Sequence, residues 1–500
     1  MFLNNFDLNL DFAKLGREFI YDPKSPIMFN SGLFIWLFVV FLFIYVALRR
    51  KDNVRLLFVI CFSYYFYYKS SGIYFLLLAL VTVIDFYTGY WMNKTTERAK
   101  RKSLVVLSLC INLGLLGYFK YTNFFGQIFC SLMGHNFSPF DIFLPVGISF
   151  FTFQSLSYTI DIYRKEIEPL NNILDYAFYV SFFPQLVAGP IVRARDFIPQ
   201  IRKPVFVSQE MFGRAIFLIV GGLFKKAVIS DYISINFVDR IFDNPLLYSG
   251  LENLMGVYGY AIQIYCDFSG YSDMAIGIAL LLGFHFNINF NSPYKSASIT
   301  EFWRRWHISL STWLRDYLYI SLGGNRKGKL RQYINLIITM FIGGLWHGAS
   351  WNFIVWGTLH GVALAIHKAW LGITKQKKGG NKLHGWRRCI AIIITFHFVC
   401  FCWIFFRGNN FTTVLNLLTQ IFTSFHGELL PQLFEGYWKV FALISLGFVM
   451  HFMPDRYENK LCNCVIQMPF FAKVIMVVLF IYVVIQMKGS DVQPFIYFQF

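Results

Sequence analysis

Long apolar stretches recur along the chain with short clusters of Lys and Arg between them, and this alternation constrains the fold more than any other feature. The first stretch, residues 27–48, has about the twenty residues that cross a hydrocarbon core as a helix. It is too long for a signal-peptide core and lacks a small-residue cleavage site, so it reads as a retained span. It ends at Arg49-Arg50-Lys51, with Arg55 close behind. Lys and Arg concentrate on the cytoplasmic side of membrane proteins. That end is therefore assigned to the cytoplasm, and the polar residues 1–25 to the outside. Residues 54–68 and 73–92 read as a hairpin returning to Lys94, Arg98, Lys100, Arg101 and Lys102. Both basic clusters then share one side, as an even number of crossings requires.

Further apolar segments cover 104–125, 142–162, 177–192, 216–229, 254–286, 334–346, 352–370, 389–406, 440–453 and 470–486. Several are short or interrupted by Gly or Pro. Irregular backbone at membrane depth requires surrounding protein or a water-filled cavity, so some are expected to be tilted or re-entrant. Window counting predicts ten to twelve spans in one all-α, polytopic membrane domain, residues 26–500, with no internal repeat and no linker. Composition agrees. Charged residues are 14%, against about 25% in soluble chains, and 56% of residues are apolar. A soluble enzyme and a disordered chain are both excluded. The net charge of +18 sits in short loops between spans, which is not a nucleic-acid footprint. Most of the nine Cys lie in apolar runs, as Cys61, Cys110, Cys400 and Cys402 do, and read as small packing residues. Cys400-Phe-Cys402 and Cys462-Asn-Cys464 lack a closing pair at ligand spacing, so no metal site is assigned.

Residues 287–331 are the least lipid-like stretch. Trp303, Trp306, Ile308, Leu310 and Leu314 alternate there with Arg304, Arg305, His307 and Arg315, the pattern of interfacial amphipathic helices with Trp at headgroup level. Arg326, Lys327, Lys329 and Arg331 add charge on the cytoplasmic side. Such a mouth can gather an anionic, phosphate-bearing donor; it can equally be an ordinary positive-inside loop. Next comes LWHGASWNFIVW, where His347 closes an apolar run beside Gly343, Gly344, Gly348 and Ala349, small residues that let helices approach closely. An ionisable group at that depth tends to line an internal cavity, and histidine can take and return a proton near neutral pH. A lone helical His is otherwise a packing residue, the reading given to His360, His367, His397 and His451. Residues 182–201, FFPQLVAGPIVRARDFIPQI, break at Pro184 and Pro190 and return to Arg193 and Arg195. YCDFSGYSD places Asp267 and Asp273 inside an apolar segment, bonded to backbone freed around Gly270 or lining a proton or cation path.

FFPQLVAGPIVR, YCDFSGYSDMAIG, NFNSPYKSASITEFWRRWHISLSTWLRDYLYISLGGNRKG and GGLWHGASWNFIVWG together resemble the membrane-bound O-acyltransferase family. The likeness is to its bacterial branch serving alginate O-acetylation and, more distantly, teichoic-acid D-alanylation. CWIFFR and the terminal PFIYFQF add to it, and it runs from about Pro26 to the C-terminus. The resemblance implies a ring of tilted helices around a thinned centre pierced by a tunnel. It implies that His347 is the catalytic residue, with a second functional polar position at His307. Trp303, Arg304, Arg305, Trp306, Arg315 and Arg326 become donor-binding candidates, and Asp267, Asn352, Trp346 and Trp351 tunnel-lining ones.

By the same resemblance the donor is acetyl-CoA or another acyl thioester, used as substrate with no tightly bound cofactor. The acceptor is a hydroxyl on or across the membrane, for O-acetylation of a cell-surface or exported polysaccharide. A separate extracytoplasmic SGNH-type acetyltransferase is the partner this branch implies, and the setting is the bacterial inner membrane. A D-alanyl-type relative would instead take its acyl group from a small acyl-carrier protein docked on the face from Trp303 to Arg315. A transporter, the rival from another class, would use the intramembrane carboxylates and commonly internal repeats, and no repeat is visible.

Overall fold

The computed structural model describes residues 16–187, 189–374 and 384–487, so residues 1–15 and the terminal PFIYFQF lie outside the described residues. Among these the regular structure is entirely helical. The helices that position the site are α1 (Gly32–Ala47), α2 (Asp52–Ser71), α3 (Phe75–Lys94), α4 (Arg98–Leu116), α5 (Thr122–Leu132) and α6 (Ile148–Arg164). They continue with α7 (Ile173–Ser181), α8 (Gln209–Leu223), α9 (Gly250–Leu281), α10 (Ile308–Trp313), α11 (Lys329–His347), α12 (Trp351–Ile373) and α13 (Gly385–Arg407).

By length and composition, three helical stretches among the described residues are fit to cross a membrane: Asp52–Lys94, Arg98–Leu132 and Gly385–Arg407. The number is up to five if each of two sharply bent pairs near the C-terminus is one span. This is fewer than the ten to twelve expected from apolar windows, and the difference has a physical source. Helices such as α9 are held inside protein, carry polar groups that protein partners satisfy, and need not be apolar all round. The expected break at Pro184 and Pro190 is present, with α7 ending at Ser181, a short helix at Phe183–Leu186 and the next helix starting only at Ala194.

The 32 residues of α9 are the central pillar and are nearly all buried. Its start is fixed by a capping box, in which Ser249 accepts from the Glu252 N–H and Glu252 accepts from the Ser249 N–H. α8 packs against it through Gly222 and Gly270: a Cβ on Gly270 would stand 2.7 Å from the Gly222 carbonyl oxygen. Lipid tails are as apolar as Leu, so small-residue contacts of this kind hold helices together in a bilayer.

The reading of Asp267 and Asp273 as bonded to freed backbone is corrected here. α9 runs unbroken through Gly270 and frees no backbone. A π-helical segment, Phe224–Ser230, follows α8 and brings two lysines onto α9. Lys225 Nζ pairs with Asp273 at 2.7 Å, while Lys226 Nζ pairs with Asp267 at 2.5 Å and Asp231 at 2.7 Å. Lys226 and Asp267 are both buried, and a buried charge is tolerable when paired in this way.

Candidate active site

α11 leaves the basic loop at Lys329 and rises 19 residues, about 28 Å at 1.5 Å per residue, to end on His347. α4 leaves the other basic cluster at Arg98 and passes into a π-helical turn, Gly117–Tyr121. That turn meets the end of α11. The last four carbonyls of a helix have no partner within it and must find one elsewhere. Here each does: Tyr121 Oη donates to Leu345 O at 2.9 Å, and Lys120 Nζ donates to Trp346 O at 2.6 Å and His347 O at 2.9 Å. The Gly344 carbonyl accepts the Gly348 N–H.

The other side of the helix end is set by α12. Gly344 and Gly357 touch backbone to backbone, a Cβ on Gly344 standing 3.1 Å from Gly357 Cα and overlapping the Phe353 carbonyl oxygen. This approach draws the His347 ring among aromatic walls. Its centroid lies 5.0 Å from that of Trp346, 5.0 Å from Trp356 and 5.2 Å from Phe406. His347 is only 3% exposed. A cavity of about 70 Å³ reaches it, lined in part by Lys120, Ser149, Phe150, Val187, Trp346 and His347.

His307 is fully buried and holds a left-handed backbone conformation, φ 42° and ψ 57°, which His adopts more readily than most residues. The pairing of residues 289–291 with 305–308 imposes it: Asn291 N donates to Arg305 O and Ile308 N to Asn289 O. The Asn289 side-chain oxygen lies 3.2 Å from His307 Nδ1 and accepts the Ser309 N–H and hydroxyl at 3.1 and 2.9 Å. Phe268 stands edge-on to the imidazole at 4.6 Å. The Trp346 indole is the shared wall, its centroid 6.3 Å from that of His307. Sequence-distant His307 and His347 thus meet across one tryptophan.

The remaining expected site residues divide. Trp346 lines the cavity beside His347. Asn352 is buried, but its amide donates to the Gly408 carbonyl at 2.7 Å and ties the start of α12 to the end of α13. Trp351 does not line an interior; it is exposed and packs its ring on Phe124. Asp267 is committed to Lys226. Trp303 and Trp306 do not lie on an exposed face. Both are buried in the aromatic core, Trp303 donating to His360 Nδ1 at 3.3 Å and Trp306 stacked on Phe302. The tight turn at His307 folds this segment inward, so it never presents one amphipathic face. His360, His367, His397 and His451 each have a protein hydrogen-bond partner.

Charge at the basic end is also engaged. Arg305 and Arg388 both reach Glu301 at 3.1 Å. Burial alone would raise the Glu301 carboxyl, but the Ala297 N–H and the two guanidinium groups hold it below its ordinary value. Arg315 and Arg193 share Asp316, each at 2.6 Å, and Arg193 and Arg164 flank the Tyr317 ring at 5.4 and 5.3 Å. Arg304 and Arg326 are exposed and form no ion pair among the described residues. Of the four expected cationic contacts for a donor, these two are uncommitted. Sequence reasoning passed over Lys120, Tyr121 and Asn289. An ionisable residue inside an apolar run, as in GYFKYTNFF, is the signal that marks Lys120.

The sequence profile of the membrane-bound O-acyltransferase family matches residues 60–414. The chain belongs to that family. It is 39% identical over 456 residues to the peptidoglycan O-acetyltransferase of Helicobacter pylori, covering 85% of each chain. It is 40% identical over 404 residues to the probable alginate O-acetylase AlgI of Pseudomonas aeruginosa, covering 79% of this chain and 75% of that one. The teichoic acid D-alanyltransferase of Bacillus subtilis is more distant, 31% identical over 293 residues, 55% of this chain and 71% of that one. The chain is accordingly a multi-pass membrane O-acyltransferase.

Proposed function

We propose that this acyltransferase moves acetyl from a cytoplasmic thioester, acetyl-CoA, to a hydroxyl presented from the other side of the cytoplasmic membrane, for O-acetylation of a cell-surface or exported polysaccharide. The supporting observation is the place of His347: buried at the end of α11 opposite the basic loop, yet reached by a cavity. The relatives named for peptidoglycan and alginate O-acetylation support acetyl as the group transferred.

In this reading, helices of the membrane domain ring a tunnel that admits the acyl arm from the side of Arg304 and Arg326. His347 accepts the proton of the acceptor hydroxyl as its oxygen attacks the thioester carbonyl carbon. The new C–O bond forms, the C–S bond breaks, and the departing thiolate is protonated as the imidazolium returns its proton. His307, its Nδ1–H held by Asn289 Oδ1, lies beside Trp346 and helps to position the thioester. The aromatic walls restrict water that would hydrolyse the donor. A partner acetyltransferase outside the membrane would then carry acetyl to the polymer.

The deciding experiment is transfer of radiolabelled acetyl from acetyl-CoA in membrane vesicles, wild type against His347→Ala at matched protein level. Label reaching a saccharide or protein acceptor with wild type alone supports the reading. Transfer from an acyl-carrier protein but not from acetyl-CoA replaces the donor and keeps the site. Equal transfer by the mutant removes His347 from the chemistry.

A further inference from the structure

Lys120 is a costly residue where it stands. It lies 22 positions beyond Arg98, within the apolar stretch Arg98–Leu132, where an ammonium group needs strong partners. The partners it has are unusual: among the described residues no carboxylate pairs with it, and it donates instead to two successive carbonyls at the C-terminus of the helix that ends in His347. That end concentrates the negative pole of the helix dipole, with which a cation interacts favourably. The ammonium has three donors, and two are spent on these carbonyls. The lysine also lines the cavity that reaches His347. The neighbouring Tyr121 hydroxyl caps Leu345 O from the same π-helical turn, and such turns recur at functional sites.

We propose that Lys120 is the positioning residue of the site: with Tyr121 it clamps the last turn of α11 and so fixes the backbone that aims the His347 imidazole into the cavity. The inference rests on the reading of His347 as general base. A general base must lie within hydrogen-bond reach of the proton it takes, and helix ends fray unless their carbonyls are held. Without Lys120 two adjacent carbonyls at the catalytic end of α11 lose their partner, and the imidazole they carry loses its fixed aim. The clamp acts through geometry, so it governs turnover and leaves the approach of the thioester from the basic side untouched.

The test is steady-state acetyl transfer from acetyl-CoA in vesicles by Lys120→Met, Lys120→Arg and Tyr121→Phe, with His347→Ala alongside. Thermal midpoint and monodispersity of each are measured in detergent. A misplacement of about 1 Å costs about 100-fold in rate. Lys120→Met is expected to lose about that much kcat, with the acetyl-CoA KM near wild type and a lowered thermal midpoint that still leaves the protein folded at the assay temperature. Lys120→Arg, which restores a cation to the two carbonyls, is expected to recover part of the loss. Tyr121→Phe, missing one hydrogen bond, is expected to show a smaller fall in kcat. Wild-type kcat in Lys120→Met overturns the clamp, and so does a loss carried by KM alone. Should Lys120→Met fail to fold, full activity in Tyr121→Phe overturns it. Activity in His347→Ala would instead overturn the general-base reading on which the clamp depends.

Discussion

Gly344 stands one helical turn before His347, and Gly344→Ala tests whether the closeness of α11 and α12 sets the imidazole's place. The added Cβ would overlap the Phe353 carbonyl oxygen and stand 3.1 Å from Gly357 Cα. Carbon–carbon contact is comfortable at about 3.5–4.0 Å, and both obstacles are backbone that cannot swing aside. The helices must therefore part by roughly 0.5–1 Å. Overpacking costs about 1–3 kcal/mol, and alanine's better helix propensity returns about 1 kcal/mol, so the protein still folds. Turnover is hit harder, because a shift of about 1 Å at the base costs about 100-fold. Gly343→Ala is the control: its Cβ meets only the terminal methyl of Leu314 at 3.1 Å, and that side chain can move. The assay is acetyl transfer in vesicles at matched protein level, with thermal midpoints in detergent for both variants. Turnover by Gly344→Ala within threefold of Gly343→Ala would refute the reasoning.

His347→Ala should insert and fold yet lose about 10²–10⁴-fold in acyl transfer, the usual worth of general-base catalysis, read by the same vesicle assay. Asn289→Ala strips the acceptor from His307 Nδ1 and from Ser309. Leaving buried donors unsatisfied should destabilise by about 1–3 kcal/mol each, seen as a lower thermal midpoint together with reduced kcat. Lys226→Met leaves Asp267 and Asp231 without their shared cation and should cost about 3–5 kcal/mol. Asp267→Asn leaves Lys226 paired with Asp231, and should fold and transfer acetyl; loss of transfer in a well-folded Asp267→Asn would favour an ion-path role. The Glu301 pKa is lowered in the folded state, so its contribution is present at neutral pH and lost as pH falls through the folded value. Glu301→Gln should flatten the acid side of the thermal midpoint–pH curve relative to wild type.

What the sequence displayed and what it hid follow one physical line. The broad class was legible because water and lipid impose it on every residue: apolar runs of spanning length and basic loops between them leave few alternatives. The break at Pro184 and the close-packing glycine at Gly344 were legible for the same local reason, since proline lacks a donor and glycine lacks a Cβ. Pairings were not. Lys225 and Lys226 stand 48 and 41 residues from Asp273 and Asp267, and only the π-helical segment after α8 turns them toward α9. With that turn unseen, the two carboxylates read as bonded to freed backbone or as lining a proton or cation path.

The same limit explains the mixed fate of the Trp and Arg residues between 303 and 315. Alternation of apolar and basic residues reads as an interfacial face only if the segment is one straight helix. The left-handed turn at His307 bends it and Trp303 and Trp306 lie inward, while Arg305 and Arg315 are taken up locally by Glu301 and Asp316. That bend is held by backbone bonds to residues 289 and 291, a pairing no periodicity announces. Lys120 was hidden differently. A lysine in an apolar run is conspicuous, yet its partners are backbone carbonyls 226 and 227 residues away, and carbonyls leave no mark in a sequence. His347, proposed above as the general base, stood out because a motif carries it; the groups that hold it steady are visible only once the chain has folded.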